Sequence, residues 1–143
     1  RGDTKWDDSF RRKMGLLPTV AAGHVKALGD ESWSVRNHAS KSLGKAFRSN
    51  FDVAAKSKVA EALEKALGDE DRIVRYHAAS ALKKAFGSNI DVAAKSKVAE
   101  ALEKALGDED WVVRGYAASA LKKAFGSDLD VAAKSKVAEA LEK

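Results

Sequence analysis

Several features that would point to an enzyme or a membrane protein are missing from this chain of 143 residues. It has no cysteine, which excludes a disulfide framework, a thiolate metal site and a cysteine nucleophile. No apolar run has the length of a membrane span or of a signal-peptide core, so we expect a soluble, cytoplasmic chain with no membrane partner. No glycine-rich phosphate loop is present, because the glycines follow helical patterns instead.

The dominant feature of the sequence is a repeat. Residues 52–90 and 91–129 are each 39 residues long and agree at 33 positions. Such a period is typical of one supersecondary unit stacked on copies of itself, because a single unit cannot bury its apolar face alone. We interpret 1–143 as a single domain with five parts: a divergent N-terminal helix or leader (1–15), a divergent first repeat (16–51), two near-identical repeats (52–90 and 91–129) and a terminal half repeat (130–143).

Each repeat contains two helical patterns. In helix A, apolar residues recur at Val98, Leu102 and Leu106 while lysines and glutamates take the opposite side. In helix B, Val113 and Leu121 belong to an equivalent stripe. No alternation typical of strands is visible, so we expect an all-α fold. The A helices are predicted to begin near Asp52, Asp91 and Asp130, and the B helices near Arg72 and Trp111, after a first helix B from Trp33 to Phe47.

The helix boundaries carry their own signals. Gly107 and Gly126 follow the last apolar residue of a helix, which predicts a left-handed residue after each helix end. Ser88 precedes Asp91 by three residues, which predicts a capping box that opens the next helix A. Ser127 and Asp130 repeat that pattern.

Three segments share one longer pattern: LGDESWSVRNHASKSL, LGDEDRIVRYHAASAL and LGDEDWVVRGYAASAL. They resemble the signature of HEAT-like repeats, although the 39-residue period is longer than is usual for such units. The resemblance implies a right-handed α-solenoid of stacked A/B hairpins with about three and a half repeats. It also implies a ladder between neighbouring repeats, built by an Asp and an Arg six residues apart. The matching pairs are Asp30 with Arg36, Asp69 with Arg75, and Asp108 with Arg114.

The differences between the two near-identical repeats are clustered. Four of the six differing positions are 72, 73, 76 and 77. At about 100° per residue they share one side of helix B, while apolar positions such as Val74, Ala78 and Leu82 lie on the other side. The repeats are therefore expected to be identical where they pack and different where helix B is exposed. In HEAT-like solenoids helix B lines the concave side, so the resemblance implies that these positions lie side by side across a groove.

The residues at these positions favour a protein partner. Trp, Tyr and Arg anchor protein interfaces because they bring large contact area at low entropic cost. A constant framework with variation confined to this face also resembles artificial HEAT-like repeat binders, and recent duplication would give the same pattern. An alternative for the tryptophans is that each lies over the preceding loop. We predict partner binding by Trp33, Ser34, Asn37, His38, Arg72, Ile73, Tyr76, His77, Trp111, Val112, Gly115 and Tyr116.

No catalytic set or metal site is indicated. Ser80 and Ser119 have no base that the sequence places beside them. His38 and His77 occupy equivalent positions, but no carboxylate on that face supports a zinc site. His24 takes the place of a helix A leucine and is interpreted as interfacial. We predict no enzymatic activity, no metal and no cofactor. HEAT-like repeats also occur in phycobilin lyases, which keeps a protein that handles a chromophore or small molecule as a third hypothesis.

The net charge of +5 raises the possibility of nucleic-acid binding. The excess lies in residues 1–51, with ten basic and five acidic side chains. A groove that follows phosphates needs a basic stripe in every repeat. Lys83 with Lys84 and Lys122 with Lys123 are candidates, although cations at helix C-termini also complement the helix dipole. Single-stranded nucleic-acid binding by the same face is the second hypothesis.

The two ends of the chain give separate expectations. Residues 4–14 match helix B loosely and are interpreted as the tail of an earlier helix B, with a flexible basic leader as the alternative. At the other end, Val137, Ala138 and Leu141 have no following helix B to cover them. We therefore expect self-association through an exposed C-terminal helix.

Overall fold

The computed structural model describes residues 9–11, 13–14 and 16–143, and regular structure in this part of the chain is helical, with no strand. This confirms the all-α expectation. The A helices are α1 (Thr19–Ala27), α3 (Val53–Ala66), α5 (Val92–Ala105) and α7 (Val131–Glu142). The B helices are α2 (Trp33–Leu43), α4 (Arg72–Lys83) and α6 (Trp111–Ala124). Residues 9–11 and 13 are also helical, whereas positions 4–8 and 12 of the predicted N-terminal helix lie outside the described residues.

Aspartates, and not the predicted capping boxes, open three of the A helices. The carboxylate of Asp91 accepts a hydrogen bond from the backbone N–H of Ala94 at 2.9 Å, and Asp52 and Asp130 do the same in their repeats. The capping-box prediction was wrong because the residue that caps the helix is the aspartate three positions after the serine. Ser88 instead donates its hydroxyl hydrogen to the carbonyl of Phe47 at 2.7 Å, which links one repeat to the one before.

The predicted left-handed glycines were also wrong. None of the glycines in the described residues has a left-handed φ. The N–H of Gly107 donates to the carbonyl of Lys104 at 3.0 Å, and the N–H of Asp108 donates to Ala105 at 3.1 Å. Helix A therefore ends in a tight turn with i to i+3 hydrogen bonds, which needs no positive φ.

Two of the three B helices change to tighter 3-10 helix before they end. The α-helical part of the predicted Trp33–Phe47 helix stops at Leu43 and continues as the 3-10 helix Gly44–Arg48, and α4 is followed by the 3-10 helix Lys84–Gly87. In contrast, α6 stays α-helical to Ala124. The sequence of residues 81–87 is identical to that of 120–126, so the difference comes from the neighbours that each copy packs against.

The core is made of equivalent residues from successive repeats. Leu43, Leu82 and Leu121 are fully buried, and so is Val137. The predicted exposure of Val137 was wrong, because α7 packs its apolar side against α5 and α6, which precede it. The other two residues of that prediction, Ala138 and Leu141, are half-buried.

Arginines link each repeat to the next. Arg36 donates from Nε to Asp69 at 2.9 Å and from Nη1 to the carbonyl of Asp30 at 2.8 Å. Arg75 binds Asp108 and the carbonyl of Asp69 at 2.9 Å each. Each arginine thus joins the backbone of its own repeat to the carboxylate of the following one. The hydrogen bond to Asp69 raises the pKa of Arg36.

The B helices pack against one another over more of their length than the A helices do. Neighbouring repeats therefore lie closer together on the side of the B helices, as expected for the inner side of a curved solenoid. Small residues such as Ala78, Ala81 and Ala117, all buried, permit this approach.

Candidate protein-binding face

An aspartate in the acidic loop before α4, and another before α6, determines where each of these two B helices begins. Asp71 accepts hydrogen bonds from the backbone N–H groups of Ile73 at 2.8 Å and Val74 at 3.2 Å. Asp110 accepts from Val112 at 2.9 Å in the same way. Each helix therefore starts at the first variable residue, immediately after its aspartate cap.

The predicted partner-binding residues lie at the surface, and none of them is buried. Trp33 is 50% exposed, Trp111 is 74% exposed and Tyr116 is 41% exposed. A tryptophan that covered the preceding loop would hide much more of its ring than Trp111 does. The exposure therefore favours a contact surface over a capping role. Seven of the predicted residues are exposed and five are half-buried, the latter being Asn37, Ile73, Tyr76, His77 and Val112.

Aromatic rings from adjacent repeats meet on this face. The rings of Tyr76 and Tyr116 are nearly parallel, at 10°, with centroids 5.3 Å apart. His77 lies against Tyr76 with a centroid distance of 4.6 Å. Burial lowers the pKa of His77, and the nearby Lys41 lowers it further. The variable positions of the second and third repeats therefore form one continuous surface.

Arg72 extends this surface towards the third repeat. Its Nη1 lies 3.4 Å from Oδ2 of Asp110, the cap of α6. Burial would raise the pKa of Asp110, but the N–H groups of Val113 and Val112 and the Arg72 guanidinium together lower it. Because Arg72 is largely exposed, this pair contributes little to stability and its guanidinium stays accessible.

The first repeat places its polar residues differently. Nε2 of His38 lies 3.3 Å from Oγ of Ser42, and the ring packs edge-on against His24 at 5.8 Å. His38 is thus engaged within the first repeat. Within the described residues, no group of three histidine or carboxylate side chains is arranged to hold a metal ion.

The hydroxyl of Ser119 is in contact with a lysine of the preceding repeat. Nζ of Lys83 donates to Oγ of Ser119 at 2.9 Å, so an amine does lie beside that hydroxyl. The contact joins the second repeat to the third. Activation of Ser119 as a nucleophile needs the opposite direction of proton transfer, from the hydroxyl to the amine.

The C-terminal ends of the B helices carry basic residues that the site prediction did not include. Burial lowers the pKa of Lys84, and the neighbouring Arg48 and Lys45 lower it further. The candidates for a basic stripe were Lys83, Lys84, Lys122 and Lys123 of the two near-identical repeats, and Lys45 and Arg48 of the first repeat were not among them. Lys45 is in register with Lys84, and this was visible in the sequence.

The stacked A/B hairpins and the arginine links agree with the result of a family comparison. A family model described as HEAT repeats matches residues 21–122 and 60–143. The chain belongs to the HEAT repeat family. HEAT repeats are commonly protein-interaction scaffolds, and the family is generally non-catalytic. No curated protein matches the chain.

None of the helices in residues 9–11, 13–14 and 16–143 is both long enough and apolar enough to cross a membrane.

Proposed function

We propose that this HEAT repeat chain is a non-catalytic scaffold that binds a protein partner through the variable positions of its B helices. One observation carries the proposal: the two near-identical repeats differ mainly at exposed and half-buried positions of helix B, and their one difference at a buried position is the conservative change from Ile90 to Leu129. Packing does not account for Trp111, since this side chain is 74% exposed. The proposal fits a face that was diversified for binding, by design or after duplication.

The chemistry of the face supports a protein partner. Exposed Trp and Tyr side chains and an accessible Arg are the residue types that dominate binding energy at protein interfaces. The centre of the proposed contact consists of Trp33, Arg72, Tyr76, Trp111 and Tyr116. The stacked rings of Tyr76 and Tyr116 already hold each other before binding, which reduces the entropic cost of association.

Single-stranded nucleic acid remains the second candidate, favoured by the lysines at the ends of the B helices. Bases bind such proteins by stacking on free aromatic faces. Tyr76 and Tyr116 stack on each other, so each has only one ring face left for a base. This arrangement favours the protein partner.

The proposal is tested with binders selected from a displayed library of small folded domains. Their Kd values are measured against the wild-type chain and against a Trp111→Ala, Tyr116→Ala double variant. Truncation of two central aromatic residues is expected to weaken binding at least about 30-fold, as for interface hot spots. Because both side chains are exposed, the melting temperature should change little.

A matched control removes exposed apolar side chains from the A helices. Val92 and Val131 are 38% and 82% exposed at equivalent positions of α5 and α7. The Val92→Ala, Val131→Ala variant is expected to bind as the wild type does. Equal losses in the two variants, or no loss in either, would contradict binding by the B face.

A further inference from the structure

Charge is divided between the two kinds of helix. The B helices and the 3-10 helices that follow them contain eleven lysines and arginines and no aspartate or glutamate. The carboxylates of the repeats lie on the A helices and in the loops around them. The near-zero net charge of residues 52–129 therefore conceals a cationic B side.

Some of these cations are already paired. Arg36 and Arg75 bind carboxylates of the next repeat, and Arg72 lies near Asp110. Lys83 binds a serine hydroxyl. Arg114 donates to the backbone carbonyls of Asp108 and Glu109. The remaining six have no carboxylate at ion-pair distance within the described residues. We call them the basic band: Lys41, Lys45, Arg48, Lys84, Lys122 and Lys123.

The basic band is continuous from one repeat to the next. A Cβ atom on Gly44 would lie 3.3 Å from Nζ of Lys84, so this lysine reaches back over the end of the preceding B helix. A Cβ atom on Gly87 would lie 3.4 Å from Nζ of Lys123, so this lysine reaches back in the same way. Both glycines leave room for an ammonium group. The lowered pKa of Lys84, due to burial and then to Arg48 and Lys45, agrees with cations held close together.

The basic band shares a side of the helix with the variable positions. At about 100° per residue, position 84 lies within the arc that positions 72 to 77 define. Along the helix, position 84 lies about 18 Å from position 72 and about 10 Å from position 77, at about 1.5 Å per residue. Beyond the variable positions, the loops carry Glu70 and Glu109, whose side chains are 90% and 91% exposed. The face thus runs from an acidic edge through aromatic residues to the basic band.

We propose that the partner binds through an acidic protein segment, whose carboxylates lie on the basic band while its apolar side chains contact the aromatic residues. This inference rests on the proposed function and specifies the chemistry of the partner. An acidic segment matches a face whose cations are concentrated at one end. A nucleic-acid backbone carries negative charge along its whole length, so it would also meet the acidic edge.

The test uses charge reversal at equivalent positions. The triple variant Lys45→Glu, Lys84→Glu, Lys123→Glu reverses three of the six charges and brings the net charge of the basic band to zero. Its matched control is Lys26→Glu, Lys65→Glu, Lys104→Glu, which makes the same charge change at exposed, equivalent positions of the A helices. A charge-neutralising triple, with Gln at 45, 84 and 123, provides the same test if the reversed variant does not fold.

The probes are synthetic. One labelled peptide of about 14 residues has Phe, Leu and Trp at one end and six glutamates at the other. A second peptide has glutamine in place of each glutamate, and a single-stranded oligonucleotide of twenty thymidines represents a phosphate backbone. Kd values are measured by fluorescence anisotropy in 50 mM and 500 mM NaCl.

The glutamate peptide should bind at least tenfold tighter than the glutamine peptide in 50 mM salt, and most of this advantage should vanish in 500 mM salt. The B-side triple should abolish the advantage and the A-side triple should keep it. Equal affinity of the two peptides, or equal losses in both triples, would overturn the acidic-segment proposal. Tighter binding of the oligonucleotide would replace it with nucleic-acid binding.

These outcomes also separate this inference from the proposed function. If Trp111→Ala, Tyr116→Ala weakens the selected binders while charge reversal leaves them unaffected, the B face remains the docking surface and the acidic chemistry is wrong. If neither change weakens them, both proposals are wrong.

Discussion

Residues 52–90 and 91–129 have almost the same sequence but different surroundings. Phe86 is 3% exposed and its equivalent, Phe125, is 40% exposed. Arg75 is buried between Asp108 and the backbone of its own repeat, whereas Arg114 is exposed and binds only the carbonyls of Asp108 and Glu109.

The comparison shows that burial in this fold is set by the neighbouring repeats more than by the residue itself. Ser88 bonds to the preceding repeat, but Ser127 bonds to Ala124 in its own helix. The end of α4 is 3-10 helix where that of α6 is α-helix. Identical residues therefore contribute unequal amounts to stability, and this inequality can be measured.

The largest expected difference concerns the two phenylalanines. Phe86→Ala should lower the free energy of unfolding by about 3 to 4 kcal/mol, because it removes a fully packed ring and leaves a cavity. Phe125→Ala should cost about 1 kcal/mol, since much of that ring is already in water. Urea denaturation of the two variants measures both values. Equal losses would show that the side chain of Phe125 is buried in solution as that of Phe86 is.

The arginines should give the next largest difference. Arg75→Ala leaves the largely buried carboxylate of Asp108 without its partner and is expected to cost about 2 kcal/mol. Arg114→Ala removes hydrogen bonds to exposed carbonyls only and should cost about 0.5 kcal/mol. Thermal and urea unfolding of each single variant test this order, and the reverse order would contradict the proposed role of the ladder.

Some of the fold followed from the sequence because it depends on residues within one repeat. The apolar periodicity predicted the A and B helices, and the repeat length predicted the stack. The capping-box prediction was wrong because Asp52, Asp91 and Asp130, and not the serines, accept the hydrogen bonds at the helix starts. The prediction of left-handed glycines was wrong because tight turns end the helices. Neither outcome is visible in a short pattern.

Other features depend on contacts between repeats and were harder to predict. Val137 was expected to be exposed because nothing follows it in the chain, yet the preceding hairpin buries it. The Tyr76 and Tyr116 stack joins side chains forty residues apart and has no local signal. In contrast, the absence of carboxylates from the B helices could have been read directly from the sequence.

Gly115 offers a smaller test of the exposed face. A Cβ atom at this position of α6 would meet nothing within 4 Å. Gly115→Ala should therefore stabilise the chain by about 0.5 to 1 kcal/mol through helix propensity alone. A gain in melting temperature would agree with an open position at the middle of the face. A loss would mean that position 115, unlike its equivalent Tyr76, is crowded.

The smallest effect is expected from pH. The pKa of His77 is lowered in the folded state, chiefly by burial, and the equivalent position of the third repeat carries no histidine. Below about pH 6.5 the unfolded chain therefore binds a proton that the folded chain resists, and stability falls as the pH falls through the folded-state pKa. His77→Gln should lose less stability than the wild type between pH 8 and pH 5. The measurement is urea unfolding at pH 8 and pH 5. If His77 does not contribute, the variant and the wild type will lose the same free energy of unfolding between these two pH values.

The most direct test of the account makes the two repeats identical on their exposed face. The variant Arg72→Trp, Ile73→Val, Tyr76→Gly, His77→Tyr gives the second repeat the variable residues of the third. We expect its free energy of unfolding to stay within about 2 kcal/mol of wild type, since only surface and half-buried residues change. Affinity for the selected binders should fall at least about tenfold. A large loss of stability with unchanged binding would show that these positions serve the packing of the stack and do not recognise a partner.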